Sequence, residues 1–490
     1  MRPILSKLSH VNLFLNSIKG LFIGFGILVA IVSLLYVRSR QVNFTKHIQS
    51  REDASGFEFE YAKQFIYFYY YTGYFPLATQ QQQLNYSKQA ATNEIKYHGD
   101  QLIMEYKHWS RLGEHARIFA FLPNAWVNGS PEKPSLNLFN ALMFTLGLLV
   151  LFRGTWKIKY PLLGLLACLL ILSTPYYHYE IFTNQNIFGL LHSTFFFVLG
   201  IMLPFFFNPK QSLIRLLLSC LLAVCLISFH SEIRNEISIV ILSLLLVVTF
   251  IPSYNLIQKI TCLGIIFLSF WGTKKSIQTW FDHKFEHATT IVKSAGGHVY
   301  TGGRIAGHQI WHNVFCGLGD FDTKYNHAWD DRTGYKHALP ILKNNYHIEV
   351  PYSGGYQTDL FYDSAKLYYI KFDEILPYES IMKNEVLRSI QHDPLWYGQI
   401  LLKRCWILLK TTLPFPNAGW LIFPLMVFLW YKKEWTSLKI ILVCLPLSAV
   451  SLLIYSGRGA TYNSIYPYAV LIISMAMLYK YLHKVFVTSE

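Results

Sequence analysis

Residues 20–37 read GLFIGFGILVAIVSLLYV, with no charged side chain. As a helix this run is about 27 Å long at 1.5 Å per residue, close to the thickness of a bilayer's hydrocarbon core. Arg2, Lys7 and Lys19 precede it, and Arg38-Ser39-Arg40 follows. The run is too long for the apolar region of a secretory signal, and no small-residue cleavage site follows it. It therefore predicts an uncleaved first membrane span. The pattern recurs at residues 136–152, 159–175, 187–207, 212–229, 236–251, 256–272, 415–431, 438–455 and 463–480, giving ten apolar runs. Composition agrees: only 14% of the 490 residues are charged, against about 25% in soluble domains. The expected fold is an all-α polytopic membrane protein with about ten transmembrane helices.

The short loops alternate in charge. Arg153, Lys157 and Lys159 lie between runs two and three, and Lys210 and Arg215 between four and five. Lys259 opens run seven; Lys432, Lys433 and Lys439 lie between eight and nine; Lys480 and Lys484 follow ten. Lys and Arg collect in cytoplasmic loops, so both termini are expected inside. This also accounts for the net charge of +15 without a nucleic-acid partner. The plan is a cytoplasmic N-terminus (1–19), a first span (20–37) and a first extracytoplasmic loop (38–134). Spans two to seven (135–272) lead to a large extracytoplasmic loop (273–414), then spans eight to ten (415–481) and a cytoplasmic tail (482–490). Within the large loop, apolar Leu387, Ile390, Leu395, Ile400 and Leu408 interleave with Lys383, Arg388, Lys403, Arg404 and Lys410. That pattern predicts amphipathic helix, broken near Asp393-Pro394, lying on the membrane surface or packed on the outer loop.

The proposed outer side collects the chemistry. Glu58 and Glu60 follow the first span, His178 and Glu180 the third, Glu232, Arg234 and Glu236 sit between five and six, and Arg458 between nine and ten. Ionisable groups at span mouths are functional candidates. A carboxylate takes a proton from an acceptor hydroxyl, and arginines neutralise a phosphate leaving group. The plainer readings are a solvated helix face for the two glutamates and a local Glu232–Arg234 salt bridge.

Glu58-Phe59-Glu60-Tyr61-Ala62 is similar to the acidic motif, Asp/Glu-x-x-Tyr-Ala, that the C-type (GT-C) membrane glycosyltransferases carry in their first outer loop. The family's usual preceding Asp is Phe57 here, so either Glu58 or Glu60 is the base. Glu132-Lys133-Pro134-Ser135-Leu136 resembles the Glu-Lys-Pro-Pro-Leu of the lipid A aminoarabinose branch. Arg234-Asn235-Glu236 resembles an arginine-bearing span mouth, and Arg458 with Tyr466-Pro467 the final-span pattern. The resemblance implies a GT-C-like fold in a bacterial inner membrane and a polyprenyl-phosphate-linked sugar as donor. It implies Arg234, Arg458 and Lys133 at the donor phosphate, and a membrane-lipid, glycan or protein acceptor. A polymerase or ligase of lipid-linked polysaccharide, a transporter or flippase, and a binding scaffold are the rival readings.

The second loop is densest in polar groups. Arg304, His308, His312, Asp330 and Asp331, with Glu180, are read as acceptor or lid residues, or as a hydrogen-bond network that folds the loop. His308 and His312 share a helix face at i,i+4, and with Asp320 and Asp322, or Asp330 and Asp331, as oxygen donors they leave a divalent cation open as a cofactor. Cys168, Cys220, Cys225, Cys262 and Cys444 fall in apolar runs and read as core; Cys316 is in the outer loop and Cys405 at a membrane edge.

Overall fold

The computed structural model describes residues 10–46, 114–128, 136–174, 181–182, 189–207, 211–251, 254–297, 310–349, 361–363, 368–370, 377–410 and 418–454, with isolated positions at 93, 95–97, 99 and 103. The helices are α1 (Ile18–Lys46), α2 (Arg117–Asn128), α3 (Asn137–Lys157), α4 (Pro161–Leu172), α5 (Gly189–Phe207), α6 (Leu213–Ser231), α7 (Val240–Phe250) and α8 (Leu256–Ser294). After these come α9 (Ile310–Gly317), α10 (Asp331–Tyr346), α11 (Tyr378–His392), α12 (Pro394–Lys410), α13 (Ile422–Tyr431), α14 (Trp435–Cys444) and α15 (Pro446–Leu453). Among the described residues, strand pairing is confined to one antiparallel ribbon, β1 (Phe361–Asp363) with β2 (Tyr368–Ile370), in register Tyr362 to Tyr369.

The chain is a helical membrane protein in outline. Five helices are long and apolar enough to cross a membrane: Ile18–Ser39 within α1, then α3, α5, α6 and α8. Shorter apolar helices at Pro161–Leu172, Asn235–Phe250, Gly419–Tyr431 and Trp435–Ala449 fall on expected spans three, six, eight and nine. The expected tenth span, 463–480, lies outside the described residues.

The tightest packing joins α3 and α5, which run parallel. A Cβ on Gly154 would sit 2.3 Å from the Gly200 carbonyl oxygen, and one on Gly147 would sit 2.7 Å from that of Ser193. Small residues let membrane helices approach backbone to backbone, where dispersion contacts replace the missing hydrophobic drive. Local signals set the helix starts. Pro161 opens α4, where its missing N–H is harmless. Ser212 caps α6 by accepting from the Arg215 N–H. Asn255 and Gln258 form a reciprocal capping box on α8.

Loops separate into two ends. Asn12 reaches the α3–α4 turn, donating to the Lys159 carbonyl at 3.3 Å and accepting from the Leu162 N–H at 3.2 Å. The Tyr254 hydroxyl donates to the Gln211 carbonyl at 2.9 Å, joining the loops before α6 and α8. The opposite end carries the α6–α7 turn and the start of α2.

One helix outruns its apolar stretch, and one expectation needs correction. The helix that carries the seventh run does not end at 272: α8 has 39 residues in all, about 58 Å at 1.5 Å per residue. No Gly or Pro interrupts it between Thr273 and Ser294, and it ends before Gly296, which takes a positive φ of 78°. Cys225 is exposed on α6, whereas Cys168, Cys220, Cys262 and Cys444 are buried as expected. An apolar run on a spanning helix has a face turned away from its neighbours, and Cys225 occupies it.

The extension of α8 is covered in part by residues just before and within α2. The His115 ring lies 5.5 Å from that of Phe281 and 5.4 Å from that of Phe285, and Phe119 packs on Trp280 at 5.9 Å. A second core, separate from the membrane helices, joins α9 to α12 through Phe315, Leu318, Tyr335, Tyr378, Met382 and Trp396. The break expected near Asp393-Pro394 is there: Asp393 ends α11 and accepts from the Trp396 N–H at 3.0 Å to start α12.

Candidate functional site

The turn between α6 and α7 collects buried charge from three stretches of chain. Glu114 is the hub. Its Oε2 accepts from the Arg117 guanidinium at 2.5 Å, and its Oε1 from the Asn235 backbone N–H at 3.1 Å, with Arg234 Nη1 at 3.9 Å. Arg234 also donates to Glu236 Oε1 at 2.7 Å. A backbone bond from Ala116 N–H to the Glu232 carbonyl, 2.9 Å, clamps the same junction. The start of α2 is thus tied to the α6–α7 turn by charge and by main chain.

Glu232 ends α6 with its side chain fully buried. Lys274 Nζ of α8 lies 3.6 Å from its Oε1, and Gln278 Nε2 3.4 Å from it. Its Oε2 has no hydrogen-bond partner among the described residues. Burial pushes the carboxyl up to about 7, against the pull of Lys274 and Gln278. The expected Glu232–Arg234 salt bridge therefore gives way to two other pairings, Glu232 with Lys274 and Arg234 with Glu236 and Glu114. Lys274 and Gln278 come within reach because α8 runs on past the end of its apolar stretch.

Beneath this cluster lies a polar layer. His230 Nδ1 and the Thr194 hydroxyl are 2.6 Å apart. Asn140, His192, Thr194 and His230 are all buried, and each lies within two turns of this end of its helix.

The Glu232 proton has a testable consequence. Its folded pKa of about 7 lies above the ordinary 4.5, so the folded chain holds this proton more tightly than the unfolded chain does. The stability it confers is complete below the ordinary value and is lost as pH rises through the folded one. A shift of 7 − 4.5, or about 2.5 units, corresponds to about 3 kcal/mol at 1.36 kcal/mol per unit. Thermal melts in detergent at about pH 5 and about pH 8 should show the wild type losing ground against Glu232→Gln at the higher pH. Parallel pH dependences for the two proteins would contradict a buried, proton-holding Glu232.

The second loop forms a separate site. His312 and Cys316 share a face of α9, with Sγ 3.8 Å from Nε2. Nε2 also meets Asp331 Oδ1 at 3.1 Å, and Nδ1 meets the Tyr378 hydroxyl at 2.7 Å. Burial lowers the imidazole's proton affinity, but Asp331 and Cys316 outweigh it and raise the pKa to about 10. Asp330 caps α10 through the Arg332 N–H at 3.0 Å and holds the Arg332 guanidinium. Its carboxyl is thereby held below the usual range, mainly by Arg332.

Asp320 and Asp322, expected beside His312 in a cation site, are engaged elsewhere. Asp320 pairs with buried Arg404 at 3.1 Å, and both Asp322 oxygens lie 3.2 Å from the Trp396 indole nitrogen. The companions of His312 are Cys316 and Asp331. Glu58, Glu60, Lys133, His178, Glu180, Arg304, His308 and Arg458 lie outside the described residues.

Sequence reading passed over Glu114, Arg117, Lys274 and Gln278. Glu114 and Arg117 stand at i,i+3 before the apolar stretch of α2, a spacing that pairs charges on a helical turn. Comparison with protein-family models, with curated proteins and with solved structures finds no match to this chain.

Proposed function

We propose that the chain is an integral-membrane glycosyltransferase that moves a sugar from a polyprenyl-phosphate donor to an acceptor on the extracytoplasmic side. The observation that carries this reading is the charge balance of the α6–α7 mouth. With Glu232 protonated, the described cations Arg117, Arg234 and Lys274 stand against the described carboxylates Glu114 and Glu236. A cluster of that composition favours an anionic phosphate. A carboxyl with a pKa of about 7 is suited to proton exchange near neutral pH. The burial of Asn140, His192, Thr194 and His230 towards this mouth supports a site there, where a transporter calls for polar groups and broken helices near the bilayer midplane.

In this reading Glu58 or Glu60 removes the acceptor hydroxyl's proton as its oxygen attacks the anomeric carbon. The sugar–phosphate bond breaks, and Arg234, with Arg458 and Lys133, receives the phosphate. Both termini are cytoplasmic and the membrane is a bacterial inner membrane with ten spans. Residues 38–134 and 273–414 face outward, with Glu180, Arg304, His308, His312, Asp330 and Asp331 toward the acceptor.

Glu58→Gln and Glu60→Gln, assayed separately in membranes with radiolabelled lipid-linked sugar, test the base. One of them should lose about 10²-fold or more in transfer rate. Full activity in both sinks the assignment. Arg234→Ala should raise the donor concentration needed for half-maximal rate.

A further inference from the structure

Three helices meet at the His312 ring, and their geometry is that of ligands held ready for a cation. His312 and Cys316, four residues apart, project from one face of α9. Asp331 is the first residue of α10, fixed in place by the Asp330 cap. The three donor atoms lie within 4.8 Å of one another. Around a tetrahedral zinc ion with Zn–S about 2.3 Å and Zn–N or Zn–O about 2.0–2.2 Å, neighbouring donors stand about 3.3–3.6 Å apart. The observed 3.1 Å and 3.8 Å separations bracket that range, so a small adjustment of side-chain torsions would admit the ion.

The surroundings fit the same reading. A metal-bound histidine is oriented by a partner on its other ring nitrogen, and Tyr378 of α11 stands 2.7 Å from Nδ1. The ring stacks on Tyr335 at 5.6 Å with an interplanar angle of 17°. Where α10 passes the ring the chain has Gly334. A Cβ there would come 2.8 Å from the Tyr378 hydroxyl and 3.2 Å from His312 Nδ1. Tyr378 and Tyr335 thus fix the ring, with Nε2 turned to Cys316 and Asp331. His312 and Cys316 are buried, while the Asp331 side chain is 51% exposed.

We propose that His312, Cys316 and Asp331 are the protein ligands of a zinc site whose fourth position, on the exposed side beside Asp331, takes an oxygen ligand from outside the chain. The donor set of one thiolate, one imidazole and one carboxylate suits zinc rather than calcium or magnesium, which prefer oxygen donors alone. Three protein ligands with one open position is the pattern of zinc sites that act on a bound molecule rather than merely brace a fold. This inference does not rest on the donor assignment above, and its readout is metal, not transfer.

The test uses the full chain in detergent, stripped with a chelator and dialysed against Zn²⁺ or Co²⁺. Elemental analysis should find one zinc per chain. The cobalt form should show the visible absorption of tetrahedral Co²⁺ and a near-ultraviolet thiolate charge-transfer band. Cys316→Ser should abolish that band. Asp331→Asn should weaken binding by about 10-fold or more, and Tyr378→Phe by about 10–100-fold. Metal affinities are compared on folded protein, because Asp331 also bonds His312 in the metal-free chain. A wild type without the charge-transfer band would overturn the proposal. Equal zinc retention by wild type, Cys316→Ser and Asp331→Asn would do so as well, leaving the cluster a hydrogen-bond network only.

Discussion

Replacing Arg404 by methionine should remove about 3–5 kcal/mol of stability, the range for stranding one partner of a buried ion pair. The guanidinium is 1% exposed and its partner Asp320 is 2% exposed. The same group donates to the Gly317 carbonyl at 2.5 Å and the Leu452 carbonyl at 2.6 Å, the last turns of α9 and α15. A cation at two helix C-termini is favoured by both macrodipoles. Arg404 thereby ties the second core to α15. Its loss should lower the melting temperature and open α9 to α12 to protease while the apolar helices stay protected. Adding Asp320→Asn to Arg404→Met should return the part due to the stranded charge. The unmet carbonyls should remain, at about 1–3 kcal/mol. A variant that melts with the wild type would show that the tie is dispensable.

Glu114→Ala should be comparably damaging, at about 3–5 kcal/mol. The Arg117 side chain is 1% exposed and that of Arg234 11%. Removing the carboxylate leaves Arg117 without its 2.5 Å partner and the Asn235 N–H without an acceptor. Glu114→Gln keeps the shape and one acceptor oxygen but drops the charge, and should fall between the two. Size-exclusion profiles and melts of the three proteins check the order. If Glu114→Ala and Glu114→Gln behave alike, charge at Glu114 is not what holds the junction.

The apolar runs and the turn chemistry were readable because hydrophobic length and Pro, Gly or capping residues act locally. Runs at 136–152, 187–207 and 212–229 carry their own signal and became α3, α5 and α6. Proline disfavours the helical conformation of the residue before it, so Asp393-Pro394 marks a local break. Hydropathy, however, reports where a helix leaves hydrocarbon and not where it ends. Lys274 and Lys275 close the apolar stretch, yet the backbone has no reason to stop until the glycines at 296 and 297. The partners of Glu232 were hidden for that reason.

Long-range assembly explains the other gap. His312 and Cys316 are visible at helical spacing, but Asp331 joins them only through the loop that folds α10 back on α9. Asp320 and Asp322, closer in sequence, look like equally good companions. The stronger claims of Arg404 and Trp396 on those carboxylates come from α12, about 80 residues away. Sequence spacing carries no record of such competition.

The unbroken length of α8 makes it a spacer. About 22 of its residues extend past the end of the apolar stretch, an arm of about 33 Å. Near its base, Lys274 and Gln278 meet Glu232; near its tip, Val292 bears on Gly99. A helix with no internal break holds these two contacts at a fixed separation, so the Glu232 junction and the Gly99 contact share one rigid ruler.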